Sequence, residues 1–284
     1  MGKHRPGQQV EECRKLNATP ASCAVASPCV TDGAAKRDTG EEFAARREAF
    51  YGRRKGHRLR ARQAGLLESL LPRLAVDPSS PPPQPLTGLF PVAVDSVRLE
   101  IGFGGGEHLI AQARDNPRTG FIGCEPFVNG MAKVVAAIEA FALANIRLHH
   151  GDGTKLLAWL PADSLARVEL LYPDPWPKRR HWKRRFVQPS TVAAIARVIE
   201  PGGEFRFATD WPDYAAWTLE RLLQSTEFAW TAERAEDWRK AWADFAGTRY
   251  EAKARREART PCYLTFRRVR NEPARAQLAL RNSS

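Results

Sequence analysis

Cysteine is scarce: five residues in 284, an odd count with no C-x-x-C pair. Three of them, Cys13, Cys23 and Cys29, fall in a stretch with no hydrophobic period. That pattern argues against a disulfide framework or a thiolate zinc site and predicts a reducing compartment, the cytoplasm. Histidines are few as well, and His108, His149 and His150 are too scattered to nominate a metal site. No apolar run is long enough to span a bilayer, which argues against a membrane protein. The nearest approach to a signal peptide, ATPASCAVASPCV (18–30), is weakly hydrophobic and broken by Pro and Ser, so it is read as no signal. Acidic residues are in deficit, 32 against 44 Lys+Arg, for a net charge of +12. Such an excess favours a polyanionic partner such as nucleic acid. There is no internal repeat.

What is present divides the chain. Residues 1–45 hold too little branched or aromatic content to offset the entropy of ordering and are expected to be a disordered extension. Residues 46–85 form a second segment. RREAFYGRRKGHRLRAR (46–62) interleaves arginines with Phe50 and Tyr51, which suits phosphate contact and base stacking, or equally a solvated arm. Leu66, Leu67, Leu70, Leu71 and Leu74 then recur at helical spacing over 61–74, and PSSPPPQP (78–85) reads as a stiff linker. From 86 to 270 the pattern alternates. Strands are predicted at 97–101, 121–124, 146–149, 168–172 and 204–208, with helices at 107–115, 127–142, 188–199 and 214–224 between them. That is an α/β domain, a mostly parallel sheet with helices on both faces. CYLTFRRV (262–269) adds a late strand, expected at the sheet edge. Trp230, Trp238 and Trp242 read as core anchors of a late helix. Residues 271–284 are expected to be a flexible tail.

The first strand runs into LEIGFGGGEH (99–108). Gly102, Gly104 and Gly106 let the backbone turn tightly and a ligand approach closely. A dinucleotide fingerprint would need glycine where Glu107 stands, and an acid there repels a pyrophosphate. With Glu100 just before the turn, the loop suits a cationic or zwitterionic ligand. S-adenosylmethionine, with its sulfonium and amino groups and no phosphate, fits. Glu125 ends the second strand about 20 residues on, where an acid takes a ribose hydroxyl. Asp152 ends the third, placed for an adenine amino group. One acid at a strand end is usually a helix cap. Three at successive strand ends make a cofactor edge the better reading.

The fourth strand ends in LYPDPW. Asp174 stands between Pro173 and Pro175, which restrict the backbone on both sides. Lys178, Arg179, Arg180, His181, Trp182, Lys183, Arg184 and Arg185 follow, six of them Lys or Arg. A charge run is usually a solvated face. Beside a methyl-transfer site it points to a phosphate backbone. Trp176 could stack on a flat substrate or simply pack. The residues alone leave open a methyltransferase acting on another substrate and a non-catalytic RNA-binding protein.

Three stretches narrow this: PDPWPKRRHWKRR, FATDW (207–211) and GTRYE (247–251). With them the chain resembles the bacterial tRNA (guanine-N7)-methyltransferases from about residue 97 to 268. The resemblance implies a Rossmann-like class I methyltransferase fold with a seven-stranded sheet. It implies methyl transfer from S-adenosylmethionine, without a metal, to N7 of a tRNA guanine in the variable loop, position 46 of the tRNA. Glu100, Gly102, Gly104, Gly106, Glu125, Asp152 and Asp174 would bind cofactor, and Asp174 would be catalytic. Lys178, Asp210, Thr248, Arg249, Tyr250 and Glu251 would bind substrate. Arg180, His181, Trp182, Lys183, Arg184 and Arg185 would meet RNA. Many relatives carry Lys and Phe where Arg249 and Tyr250 stand. The partner is tRNA, and the chain would act as a monomer or homodimer.

Overall fold

A computed structural model describes residues 56–270. The expected extension at 1–45, the stacking pair Phe50 and Tyr51, and the tail at 271–284 lie outside the described residues. After a helix α1 (Ala61–Ser69) and a turn of helix α2 (Leu71–Leu74), the chain alternates as predicted. The order is β1 (Ser96–Ile101), α3 (Glu107–Asp115), β2 (Thr119–Cys124), α4 (Val128–Phe141), β3 (Ile146–His149), α5 (Gly153–Trp159) and β4 (Leu165–Leu171). Then come α6 (Pro189–Val198), β5 (Ile199–Thr209), α7 (Pro212–Leu223), β6 (Phe228–Trp230), α8 (Glu236–Arg239), α9 (Arg249–Arg256) and β7 (Cys262–Arg268).

The seven strands form one sheet in the order β3-β2-β1-β4-β5-β7-β6. β1 to β5 are parallel, and β7 runs antiparallel between β5 and β6. The expected mostly parallel seven-stranded fold is observed. Two expectations are corrected. β7 is an inner strand, because Tyr263, Leu264 and Phe266 are buried and need cover on both sides. The edge is β6, and it contains Trp230; Trp242 lies in the loop after α8, so only Trp238 of the three stands on a late helix. The helix predicted over 61–74 is also split. Pro72, in the first turn of α2, lacks the N–H that would continue α1.

One sheet face is apolar along β1, β4 and β5. Val97, Leu99 and Ile101 alternate inward on β1, with Val168 and Leu170 on β4 and Phe205 and Phe207 on β5. The opposite face changes character along the sheet. Under β2 and β3 it is apolar, where Phe121, Ile146 and Leu148 pack with Leu109, Met131, Val135 and Ile138. Leu66 and Leu74 join that cluster, so the leucine period at 61–74 is a docked element. Val76 N donates to Leu148 O at 2.8 Å, which caps the outer edge of β3. Under β1, β4 and β5 the same face carries Arg98, Glu100, Arg167, Glu169, Glu204 and Arg206. It is covered by the segment around Trp242, Asp244 and Phe245. Asp244 accepts from Arg167 Nη1 at 2.8 Å and Arg206 Nη1 at 2.7 Å. Those two guanidiniums pull its carboxyl far below the ordinary range against the cost of burial. Its backbone carbonyl also accepts from Gln112 Nε2 on α3. Segment 242–245 is thus clamped to the sheet just before GTRYE begins.

Candidate active site

In parallel strands every C-terminal end falls on one edge of the sheet. Glu100, Glu125, Asp152, Asp174 and Asp210 therefore gather along that edge, from β1, β2, β3, β4 and β5. Strand order reverses between β1 and β4, and the crevice at such a switch point is where open α/β sheets bind ligands. Asp174 follows β4, across that switch point from the glycine loop that follows β1.

The loop behaves as its sequence required. Gly102, Gly104 and Gly106 have φ of +75°, +58° and +78°, a region that penalises any side chain. Glu125, which is buried, ties the loop down: its carboxylate accepts from Gly104 N at 2.6 Å and Phe127 N at 2.9 Å. Burial raises its pKa, and these N–H donors oppose the rise. The sequence reading missed Gly130, in the first turn of α4. A Cβ there would lie 2.1 Å from Gly104 O, so only glycine lets α4 meet the loop. The signal was a glycine inside a helical period. Asp152 accepts from Thr154 N at 2.8 Å and caps α5, so the cap reading holds through one carboxylate oxygen.

Glu100 is turned onto the charged sheet face. His108 Nδ1 donates to its Oε2 at 3.2 Å and lies 4.0 Å from Glu169 Oε2. His108 is thus not scattered. With Glu100 and Glu169 it forms the one set of potential metal-ligating side chains found among the described residues. Arg167, 3.8 Å from Glu169, adds positive charge. Burial disfavours charge on His108, yet the Glu100 hydrogen bond and the Glu100, Glu169 and Asp244 carboxylates raise its pKa.

Asp174 occupies a strained loop. Tyr172 and Trp176, two residues either side, have φ of +50° and +43°. For bulky residues that region costs about 1–3 kcal/mol each and persists only where the surroundings enforce it. The Asp174 carboxyl is open to solvent at the rim, while protein packed around it raises its pKa by desolvation. Trp176 packs against Arg184, 4.9 Å from ring to guanidinium, and against the edge of His181.

The cationic run forms a 3-10 turn, Arg179–Arg184. Lys178, Arg179, Arg180 and Lys183 are exposed, and His181, Trp182 and Arg184 partly so. Arg185 is the departure. It is 2% exposed, so its guanidinium faces protein instead of the expected RNA. Trp182 also packs inward, edge-on to Trp217.

Among the expected substrate residues, Arg249 and Tyr250 lie over the glycine loop. A Cβ on Gly104 would meet Tyr250 Cε2 at 3.0 Å and Arg249 Nη2 at 3.4 Å. Tyr250 is 42% exposed, more open than Trp176 or Trp211, which are half-buried. Thr248 caps α9 by accepting from Glu251 N at 3.1 Å. Glu251 is buried and accepts from Tyr263 OH at 2.7 Å and Arg255 Nη2 at 2.6 Å. Asp210 accepts from Arg259 Nε at 2.5 Å. Nothing in the sequence marked Arg259, which is 49 residues away.

A family model described as "Putative methyltransferase" matches residues 95–263. The chain is 61% identical over 220 residues to a tRNA (guanine-N(7)-)-methyltransferase of Nitrobacter hamburgensis, covering 78% of this chain and 86% of that one. A protein of the same name from Rhodopseudomonas palustris is 60% identical over 238 residues, covering 84% and 95%. One from Bradyrhizobium diazoefficiens is 60% identical over 220 residues, covering 78% and 93%.

Proposed function

The chain belongs to the tRNA (guanine-N7-)-methyltransferase family, and from that premise we propose how its own residues carry the reaction. It methylates N7 of a guanine in tRNA; the variable-loop guanine at tRNA position 46 is the finer assignment. S-adenosylmethionine supplies an electrophilic methyl group on a sulfonium. The donor set suits that molecule. Backbone bends freely at Gly102, Gly104 and Gly106, carboxylates stand at the strand ends, and Glu107 in the first turn of α3 would repel a diphosphate. Glu125 and Asp152 would hold the ribose and adenine, and Glu100 would set the charge beneath the loop. Among the described residues no helix is long and apolar enough to cross a membrane. As an enzyme of tRNA it would act in the cytoplasm, where its substrate is.

Guanine N7 has a free lone pair at neutral pH, so no strong base is required. What the protein must do is align the ring and stabilise the positive charge that develops on it. Asp174 is the group for that. The observation that carries this assignment is its loop: an acid at the switch point, flanked by two prolines and two left-handed residues. A carboxylate held beside the reacting ring stabilises the positive charge that develops on it. Asp210 and Asp174 would accept from the guanine N1 and N2 hydrogens. Tyr250 would stack on the base once it leaves the tRNA stack. Lys178, Arg180, Lys183 and Arg184 would hold the phosphates, with His181 and Trp182 shaping that rim.

The test is incubation with unmodified tRNA and labelled cofactor, followed by nucleoside analysis. Label is expected in 7-methylguanosine, and label in another nucleoside overturns the reading. Asp174→Ala is expected to lose transfer by about 10²-fold or more at saturating cofactor. Full activity in that variant removes Asp174 from the chemistry.

A further inference from the structure

Arg185 sits in the most basic stretch of the chain, yet it cannot touch a phosphate. It is 2% exposed, among the most buried large side chains among the described residues. Its Nε donates to Pro175 O at 2.9 Å, the carbonyl between Asp174 and the left-handed Trp176. Its Nη1 donates to Asp213 O at 3.3 Å in the first turn of α7, three residues past Asp210. The guanidinium carbon lies 4.9 Å from the Trp182 and Tyr214 ring centroids and 5.1 Å from that of Trp217. These rings stand around it where Nη2 has no hydrogen-bond partner. The cage is itself held. Trp217 Nε1 donates to Val187 O at 2.7 Å, and Gln188 Nε2 donates to both Trp182 O and Arg185 O at 3.0 Å.

We infer that Arg185 is a positioning residue for Asp174 and Asp210, through one rigid fork that ties the loop after β4 to the helix after β5. The inference rests on the proposed role of Asp174. Its physical basis is the strain at Tyr172 and Trp176. Such a loop relaxes unless something over-determines it. A buried bidentate guanidinium, aimed at a carbonyl within that loop, does so. Removing it leaves Pro175 O without its partner and frees the loop to shift. A displacement near 1 Å at a reacting group costs on the order of 10²-fold in rate.

Arg185→Ala is expected to lower kcat on the order of 10²-fold while KM and Kd for tRNA stay within about twofold. The salt slope of tRNA binding, which counts neutralised phosphates, should not change. Free guanidinium added to this variant should restore part of kcat, because the aromatic cage remains. Lys183→Ala, an exposed neighbour, should instead weaken tRNA binding and reduce the salt slope by about 1. If Arg185→Ala does not fold, Arg185→Lys carries the test: it keeps the charge and loses the fork, so kcat should still fall. Weaker tRNA binding with a reduced salt slope at unchanged kcat would overturn the inference, as would full kcat in Arg185→Lys. A wild-type enzyme that labels no 7-methylguanosine would instead strike the parent reading.

Discussion

Gly130→Ala sets helix propensity against packing, and the two predict opposite signs. Alanine is favoured over glycine inside a helix by up to about 1 kcal/mol. Gly130 lies in the first turn of α4, so propensity alone predicts a more stable protein. The new Cβ, however, would fall 2.1 Å from Gly104 O and 3.4 Å from Glu125 Cγ. A carbon and a carbonyl oxygen ordinarily meet no closer than about 3.3 Å. Helix α4 or the glycine loop must therefore yield by roughly 1 Å, and neither is a flexible side chain. Overpacking of that kind costs about 1–3 kcal/mol. The shift also strains the 2.6 Å bond from Gly104 N to Glu125, a charge-assisted bond worth about 1.5–3 kcal/mol. Set against the propensity gain, the net is a loss of about 1–3 kcal/mol. For a domain of this size each kcal/mol lowers Tm by about 2–4 °C. Because the loop that moves is the proposed cofactor loop, affinity for S-adenosylmethionine should fall about tenfold or more, measured by calorimetry. Gly65→Ala in α1 is the control, since a Cβ there meets nothing within 4 Å. It should raise Tm slightly, from a gain of about 0.5–1 kcal/mol. If Gly130→Ala matched Gly65→Ala in Tm and bound cofactor like wild type, the close approach would carry no weight.

Other outcomes follow from the same contacts. Asn145 is buried, and its Nδ2 reaches Ala113 O at 3.0 Å, Asn116 O at 3.2 Å and Thr119 O at 2.9 Å. Asn145→Ala should cost about 2–3 kcal/mol in urea unfolding, and a loss under about 0.5 kcal/mol would contradict it. Asp244→Ala leaves Arg167 and Arg206, each 12% exposed, with Glu204 at 3.2 and 3.0 Å and, for Arg167 alone, Glu169 at 3.8 Å. A loss of about 1.5–3 kcal/mol is expected, along with a rise in KM for tRNA as the GTRYE segment loosens. The depressed Asp244 carboxyl stabilises the fold above the ordinary Asp pKa of 3.8, and that stability is lost as pH falls. Acid unfolding of Asp244→Ala should therefore be less steep than that of wild type. His108 has the opposite sign. Its raised pKa gives stability that is complete below the ordinary value of 6.5 and lost as pH rises through the folded value. Titration by NMR should find His108 above 6.5, and a value at or below it would refute the Glu100 pairing.

Whatever is local along the chain was legible in the sequence. Five parallel strands, the three left-handed glycines and the acids ending each strand are set by periodicity and by turn chemistry, which act over a few residues. The charged sheet face was half visible. VRLE, RVE and EFR alternate charge with hydrophobic residues. What the sequence does not show is their cover, the loop around Asp244, which lies far away along the chain. The spacing of Trp230 to Trp238 and Trp242 suits a helix in the sequence alone. β-pairing with Phe266 decided otherwise.

Composition, period and motif by themselves determined the fold class, the position of the acidic edge and the presence of a basic stretch beside Asp174. They could not say which of the six cations in 178–185 turns inward, because that depends on three aromatic rings and two carbonyls brought together from separate elements. Nor could they show β7 inserted inside the sheet, Arg259 on Asp210, or Gly130 against Gly104. Each is a contact between residues distant in sequence, and only the assembled sheet and its packed helices supply the partner.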